Sequence, residues 1–406
     1  MKQVLFPDDA QFWFETLRVF SHASYGGADF GEVLATAAGI TAGDYDSWHD
    51  RWLATAERVA AEAEKAHPIS ARDGFLRAST YFRTAEFFLH GNPADPRIDY
   101  AYGRSVECFR AAIADDPSIR PVEIPYEGTT LSGYFYRAPG AGPKPTLVMH
   151  SGFDGSCEEL HFQGAIAGQE RGYHVLTFDG PGQPSAIHGK GLRFRPDWEH
   201  VVGPVLDFLA EDPEVDQRRI ALLGISLGGM LAPRAAAFEP RLAAVVAVDG
   251  VYDASSAVTG LFGLPDDELR RRLRAAHDPE LDAIIAAARS ASPVARWACD
   301  QGRYVMGGNT DREFMAIFLD YTVADGVAER ISCPVLVCEA TEDLFWSGDG
   351  EQEAEPRRLY RHLTGPKTLL SFTAEEGGDA HCHAGAQRLA SARIYDWLDD
   401  TLSARA

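Results

Sequence analysis

In Gly224-Ile225-Ser226-Leu227-Gly228 a serine is centred between two glycines, each two residues away. A short apolar run, Ile220-Ala221-Leu222-Leu223, leads into it, and an alanine-rich stretch over residues 230–238 follows, stopping before Pro240. The run fits a strand buried on both faces and the stretch after it fits a helix. Strand, sharp turn and helix is the setting in which G-x-S-x-G presents a nucleophilic hydroxyl. So tight a turn strains the backbone at Ser226 and leaves room only for small neighbours, hence Gly224 and Gly228. The chemistry expected is attack by Ser226 on a carbonyl. The Leu227 N–H, at the positive end of the following helix, would hold the developing oxyanion. Outside that setting the same five residues would be an ordinary Gly-Ser turn.

A serine hydroxyl needs a base to take its proton and a group to orient that base. Behind an elbow serine these follow in the chain order Ser, Asp or Glu, His, each after a later strand. Beyond the apolar run 335–338 the carboxylates are Glu339, Glu342, Asp343 and Asp349. Asp343, a few residues past the strand and just before Leu344-Phe345-Trp346, is the expected acid, with Glu342 as the fallback. Of 13 histidines only His381 and His383 lie beyond Phe372. His381, in the small-residue loop Gly377-Gly378-Asp379-Ala380-His381-Cys382, is the expected base, and His383 is expected to point elsewhere. A second oxyanion donor belongs in His150-Ser151-Gly152-Phe153, where the Phe153 N–H is the expected one. Asp154 is expected to turn away and brace the helix start at 156–159, and Glu158 and Glu159 to serve the same helix N-terminus.

These residues need a scaffold. Residues 117–406 alternate strands and helices. Segments 122–126 and 131–136 read as a hairpin, and 146–149, 175–178, 220–223, 244–248, 334–338 and 367–372 as further strands. Helices are expected at 158–170, 198–209 and 387–402. The alternation predicts an α/β fold, a mostly parallel central sheet with helices on both faces. About 254–328 reads as a helical insertion after the sixth strand, with helices at 266–276, 279–290 and 312–320. It would lie over the C-terminal ends of the strands, where ligands bind in open α/β sheets. Residues 1–116 read as a separate domain of helices, at 11–21, 45–65, 71–89 and 98–114. Its many aromatic residues are expected to form its core, a few lining a pocket, and Tyr81, Arg83 and His90 read as packed or solvated side chains.

The chain has 406 residues and a formal net charge of -22. Such an acidic surface argues against nucleic acid and anionic membranes as partners and says nothing about what enters a pocket. No apolar run is long enough to span a bilayer, and the first residues lack the apolar core of a signal peptide. Six cysteines (Cys108, Cys157, Cys299, Cys333, Cys338, Cys382) are scattered without CxxC spacing, as free thiols of a cytoplasmic protein would be. No metal or cofactor is expected.

Gly152-Phe153-Asp154-Gly155-Ser156, Phe178-Asp179-Gly180-Pro181-Gly182-Gln183, Phe194-Arg195-Pro196-Asp197-Trp198, the Ser226 elbow and Ala380-His381-Cys382 together resemble one branch of the α/β-hydrolase superfamily. That branch includes 2,6-dihydroxypseudooxynicotine hydrolase, the fungal heptaketide chain-shortening hydrolases and bacterial dipeptidyl-aminopeptidase-like hydrolases. The resemblance implies Ser226 as nucleophile, Asp343 as orienting acid and His381 as base. It implies an N-terminal helical domain that caps the active site, and commonly a homodimer. It implies cleavage of an ester, an amide or a carbon–carbon bond beside a ketone, in an aromatic or polyketide-like substrate of small or medium size. Asp249, Asp253 and Glu158 are possible counterparts of an additional pocket carboxylate in the carbon–carbon-cleaving relatives. Pro184 departs from the branch, where Gly commonly follows Gly-Pro-Gly-Gln. Two other outcomes stay open: a triad-dependent cyclase or acyl transferase of natural-product biosynthesis, and a non-catalytic ligand-binding protein on the same fold.

Overall fold

The computed structural model describes residues 2–259, 262, 264, 266–348 and 352–403. Asp349, one of the four candidate acids, lies outside the described residues. The chain divides into two compact units, one of residues 2–120 and 286–304, the other of residues 121–285 and 305 onward.

The first unit is helical: α1 (Ala10–His22), α2 (Phe30–Ala37), α3 (Tyr45–Ala63), α4 (Pro68–Glu86) and α5 (Pro96–Ile113). Asp9, Asp29, Asp44 and Asp95 cap α1, α2, α3 and α5 by accepting backbone N–H groups of the first turn. α4 opens instead on Pro68, which has no N–H to satisfy. Phe12 packs 4.7 Å from Trp48 and 4.9 Å from Phe88, so the aromatic residues of this segment do form a core. Residues 286–304 fall inside the stretch expected as an insertion, yet belong to this unit; Trp297 stacks 5.4 Å from Phe87.

The second unit is built on an eight-stranded sheet: β1 (Ile119–Tyr126), β2 (Thr129–Tyr136), β3 (Lys144–His150), β4 (His174–Phe178), β5 (Val215–Ile225), β6 (Ala244–Val248), β7 (Val335–Ala340) and β8 (Lys367–Phe372). The order is β1-β2-β4-β3-β5-β6-β7-β8. From β4 to β8 every neighbouring pair is parallel, and β2 joins β4 antiparallel. The expected mostly parallel sheet, clothed by helices, is present. Its helices are α6 (Ala165–Glu170), α7 (Pro184–Lys190), α8 (Glu199–Ala210), α9 (Gly228–Ala236), α10 (Ser256–Thr259), α11 (Asp266–Leu273), α12 (Pro279–Ala291), α13 (Pro293–Met306), α14 (Asp311–Phe318), α15 (Glu355–His362) and α16 (Gln387–Ser403), with α12 and α13 shared between the units.

Three local differences from the expected elements have clear causes. The helix expected over 158–170 is a 3₁₀ turn at Glu159–His161 followed by α6, interrupted at Gly164, whose φ of +142 is not helical. Pro184 does not distort a loop; it is the first residue of α7, where its missing N–H costs nothing. β5 starts at Val215, five residues before its apolar run, because the polar residues there lie exposed or half-buried at the start of the strand. Among the described residues no helix is long and apolar enough to cross a membrane, and all six cysteines are free thiols.

Candidate active site

Strand register brings the site together. His150 of β3 lies opposite Gly224 of β5, and Ile225 of β5 opposite Val248 of β6. Ser151-Gly152, Ser226 and Asp249 therefore leave the sheet side by side at its carboxyl edge. Ala340, the last residue of β7, pairs with Phe372, the last of β8, so the loops bearing Asp343 and His381 leave that edge together. The Glu342 N–H donates to the Asp379 carbonyl and ties those two loops to each other at 2.9 Å.

Ser226 holds φ +63, a conformation few non-glycine residues adopt, and its N–H donates to the Val248 carbonyl at 3.1 Å. The turn closes so tightly that a Cβ on Gly224 would sit 2.0 Å from the Gly228 carbonyl oxygen. The Ser226 hydroxyl is 2.9 Å from His381 Nε2. On the far side of the ring, His381 Nδ1 is 2.7 Å from Asp343 Oδ2 and donates its proton there. Asp343 is itself fixed, since its Oδ1 accepts the N–H groups of Phe345 at 2.7 Å and Trp346 at 3.1 Å. Phe345 and Trp346 then flank the imidazole, with centroids 4.9 and 5.3 Å away. Ser226, His381 and Asp343, 155 and 38 residues apart in the chain, thus form one line of hydrogen bonds.

The other candidates are elsewhere. Glu342 is exposed. Glu339 is held by Arg357 and by the Ser371 hydroxyl. His383 is fully buried against Phe372, with Nδ1 on the Gly378 carbonyl at 3.2 Å. Glu158 does not serve the helix start; its Oε1 accepts the Tyr134 hydroxyl at 2.9 Å, while Ser156 Oγ accepts the Glu159 N–H. Asp253 accepts from Ser255 and, at 2.7 Å, from Arg270.

Gly152 lies against the elbow. A Cβ there would come within 2.6 Å of Leu227 N and 3.0 Å of Ser226 Cβ, so only glycine lets the two loops approach. This apposition brings the Gly152–Phe153 backbone to the start of α9, next to the Leu227 N–H. Two buried side chains hold the loop. His150 Nδ1 donates to the Ser151 carbonyl at 2.9 Å, and burial lowers the His150 pKa to about 4, so the ring stays neutral. Gln183 Nε2 donates to the same carbonyl at 2.6 Å, while Gln183 Oε1 accepts the Gly180 N–H at 2.7 Å. Sequence reasoning quoted Gln183 in its motif without giving it a task. Its position after β4 brings it beside the Ser151 loop, because β3, which leads into that loop, pairs with β4. Gln183→Leu is expected to lower kcat about 10- to 100-fold with little change in KM, because the loop loses its tie but keeps its residues. Steady-state kinetics beside a thermal melt checks this.

The charges of the site are unusual in a second respect. Burial works against a charge on His381, but the Asp343 carboxylate, together with that of Asp249, outweighs it and raises the pKa well above that of a free imidazole. Asp249 Oδ2 is 3.0 Å from the same Nδ1. Further along the sheet edge, burial and the neighbouring Glu158 raise Asp179 to about 8, so its carboxyl is mostly protonated at neutral pH. Among the described residues of this unit two groups offer metal donors within 4.8 Å of one another: Asp249, His381 and Cys382, and Cys157, Glu158 and Asp179. In the first, His381 already meets Ser226 and the two aspartates. In the second, Glu158 accepts from Tyr134 and Asp179 from the Ser185 N–H.

Residues 9–266 match the family described as Esterase FrsA-like. Hydrolase LUC6 of a Fusarium species is 37% identical over 97% of this chain and 97% of its own. The 20-hydroxy-prefusarin hydrolase FUS2 of Gibberella moniliformis is 33% identical over 97% of this chain and 96% of its own. Among solved structures, 2,6-dihydroxy-pseudo-oxynicotine hydrolase has the same fold, with a TM-score of 0.68 at 23% identity over 95% of this chain and 96% of that chain. The likeness to named hydrolases runs almost end to end, and it makes this chain an enzyme of the FrsA-like esterase family of α/β-hydrolases.

Proposed function

We propose that the enzyme is a serine hydrolase in which Ser226 is the nucleophile, His381 the base and Asp343 the acid that orients it. The observation that carries this reading is the unbroken line from Ser226 Oγ through His381 to Asp343, at 2.9 and 2.7 Å. His381 Nε2 takes the Ser226 proton as Oγ attacks a carbonyl carbon. The Leu227 and Phe153 N–H groups hold the oxyanion. His381 then gives the proton to the leaving group, and a water activated by the same imidazole releases the acyl group from Ser226. The scissile bond is an ester, an amide or a carbon–carbon bond next to a ketone.

Aromatic or polyketide-like substrates of small or medium size suit the surroundings of the serine. Phe153 is half-buried, and its ring lies 6.0 Å from Phe318, 6.3 Å from Phe314 and 6.5 Å from Phe194. Phe345 adds an aromatic edge beside His381. A planar acyl group gains most from such a wall. The relative named 20-hydroxy-prefusarin hydrolase supports the same class. Ethyl 3-phenylpropanoate is expected to be cleaved with a kcat/KM about 10-fold above that of ethyl hexanoate, which shares its leaving group. Run in ¹⁸O-labelled water, the reaction is expected to put one label into the acid. A reaction that returns no labelled acid from esters, amides or β-diketones would overturn hydrolysis.

A further inference from the structure

Asp249 carries a carboxylate to which the reaction above gives no part. It follows Val248, the last residue of β6, is fully buried and holds φ +53. Its Oδ2 lies 3.0 Å from His381 Nδ1, close to the 2.7 Å of Asp343 Oδ2. The same oxygen accepts the Cys382 N–H. Cys382 and His383 hold φ +55 and +54, so the backbone just past the base is kept in a sparsely populated conformation with Asp249 as one of its ties. One side chain thus contacts both the ring of His381 and the main chain that carries it.

We propose that Asp249 is a second orienting carboxylate for His381, able to receive the Nδ1 proton in place of Asp343 and to balance the imidazolium formed when the Ser226 proton reaches Nε2. This rests on the Ser226–His381–Asp343 reading. It makes Asp249 a positioning residue, acting through the imidazole.

The other titratable groups facing this pocket are shifted toward their uncharged forms. Burial raises the thiol pKa of Cys382 to about 12 and raises that of Cys338, which also faces Asp249, so both stay protonated. Burial lowers the pKa of His383, the remaining titratable neighbour of Asp249. Two carboxylates and one imidazole therefore set the electrostatics. Where a single acid orients the histidine, its change to Asn costs about 10⁴-fold, because the amide favours the wrong tautomer. A second acceptor at Nδ1 keeps the right one.

The test is a set of four variants, Asp343→Asn, Asp249→Asn, the double variant and His381→Ala, assayed from pH 5 to 9 with folding checked by circular dichroism. Asp343→Asn is expected to lose only about 10- to 100-fold in kcat/KM, and the double variant about 10⁴-fold, more than the product of the single losses. Asp249→Asn keeps an oxygen for the Cys382 N–H, and its loss of charge is expected to move the acid limb of kcat/KM to lower pH. Should Asp249→Asn fail to fold, Asp343→Asn alone decides. Asp343→Asn as inactive as His381→Ala, or an unmoved acid limb in Asp249→Asn, would overturn the proposal. An active His381→Ala would instead overturn the reading on which it rests.

Discussion

Ser226→Ala is expected to lower kcat/KM by about 10⁴–10⁶-fold and to leave the fold intact. Alanine removes the attacking oxygen and nothing else. The elbow is set by the Ser226 N–H on Val248, by the Gly224–Gly228 approach and by the start of α9, and none of these needs the hydroxyl. What remains is the turnover that oxyanion donors and binding supply without a nucleophile. Ser226→Gly should lose as much activity, yet be more stable than the parent by about 1 kcal/mol, because glycine adopts φ +63 without strain. A denaturant melt beside the assay separates the two effects. An elbow that is strained in the active protein and relaxed in the dead one is what a conformation kept for chemistry should show.

His381→Ala is expected to cost about 10⁴-fold or more, and the double variant with Ser226→Ala no more than either alone, since the two residues act as one unit. The pH profile carries further information. The base works only when neutral, so kcat/KM rises as pH climbs through the His381 pKa. The Asp343 carboxylate, together with that of Asp249, overcomes the effect of burial and holds that pKa above the ordinary value. The acid limb should therefore lie above about pH 6.5, the ordinary imidazole value. A limb at or below that value would mean that the two carboxylates do not act on the ring as the distances indicate.

Ser226, Asp343 and His381 could be singled out in the sequence because each leaves a local trace: an elbow motif, a carboxylate past an apolar run, a histidine in a small-residue loop after the last strand. The strands were legible as apolar runs for the same reason. Gln183 leaves no such trace, and Asp249, although it follows the apolar run 244–248, has nothing local that ties it to His381. Gln183 matters because β4 lies beside β3, and Asp249 because β6 lies beside β5, which are facts of strand order. Pro184 stands where Gly commonly follows Gly-Pro-Gly-Gln in the branch, and instead of reshaping a loop it begins α7. Glu158 looked like a helix cap because of its place in the chain, but its carboxylate accepts the hydroxyl of Tyr134, on β2. Residues 286–304 read as part of the sheet domain because they fall between its strands, whereas Trp297 packs on Phe87. Apart from Pro184, the deciding contact in each case is between residues distant in the chain, and no local pattern encodes it.

The most direct measurement is the intact mass of the protein after reaction with an alkyl fluorophosphonate, followed by peptide mapping. One adduct is expected, on Ser226, absent from Ser226→Ala and strongly slowed in His381→Ala. No adduct in the active enzyme, or an adduct on a different residue, would contradict a mechanism that runs through the Ser226 hydroxyl.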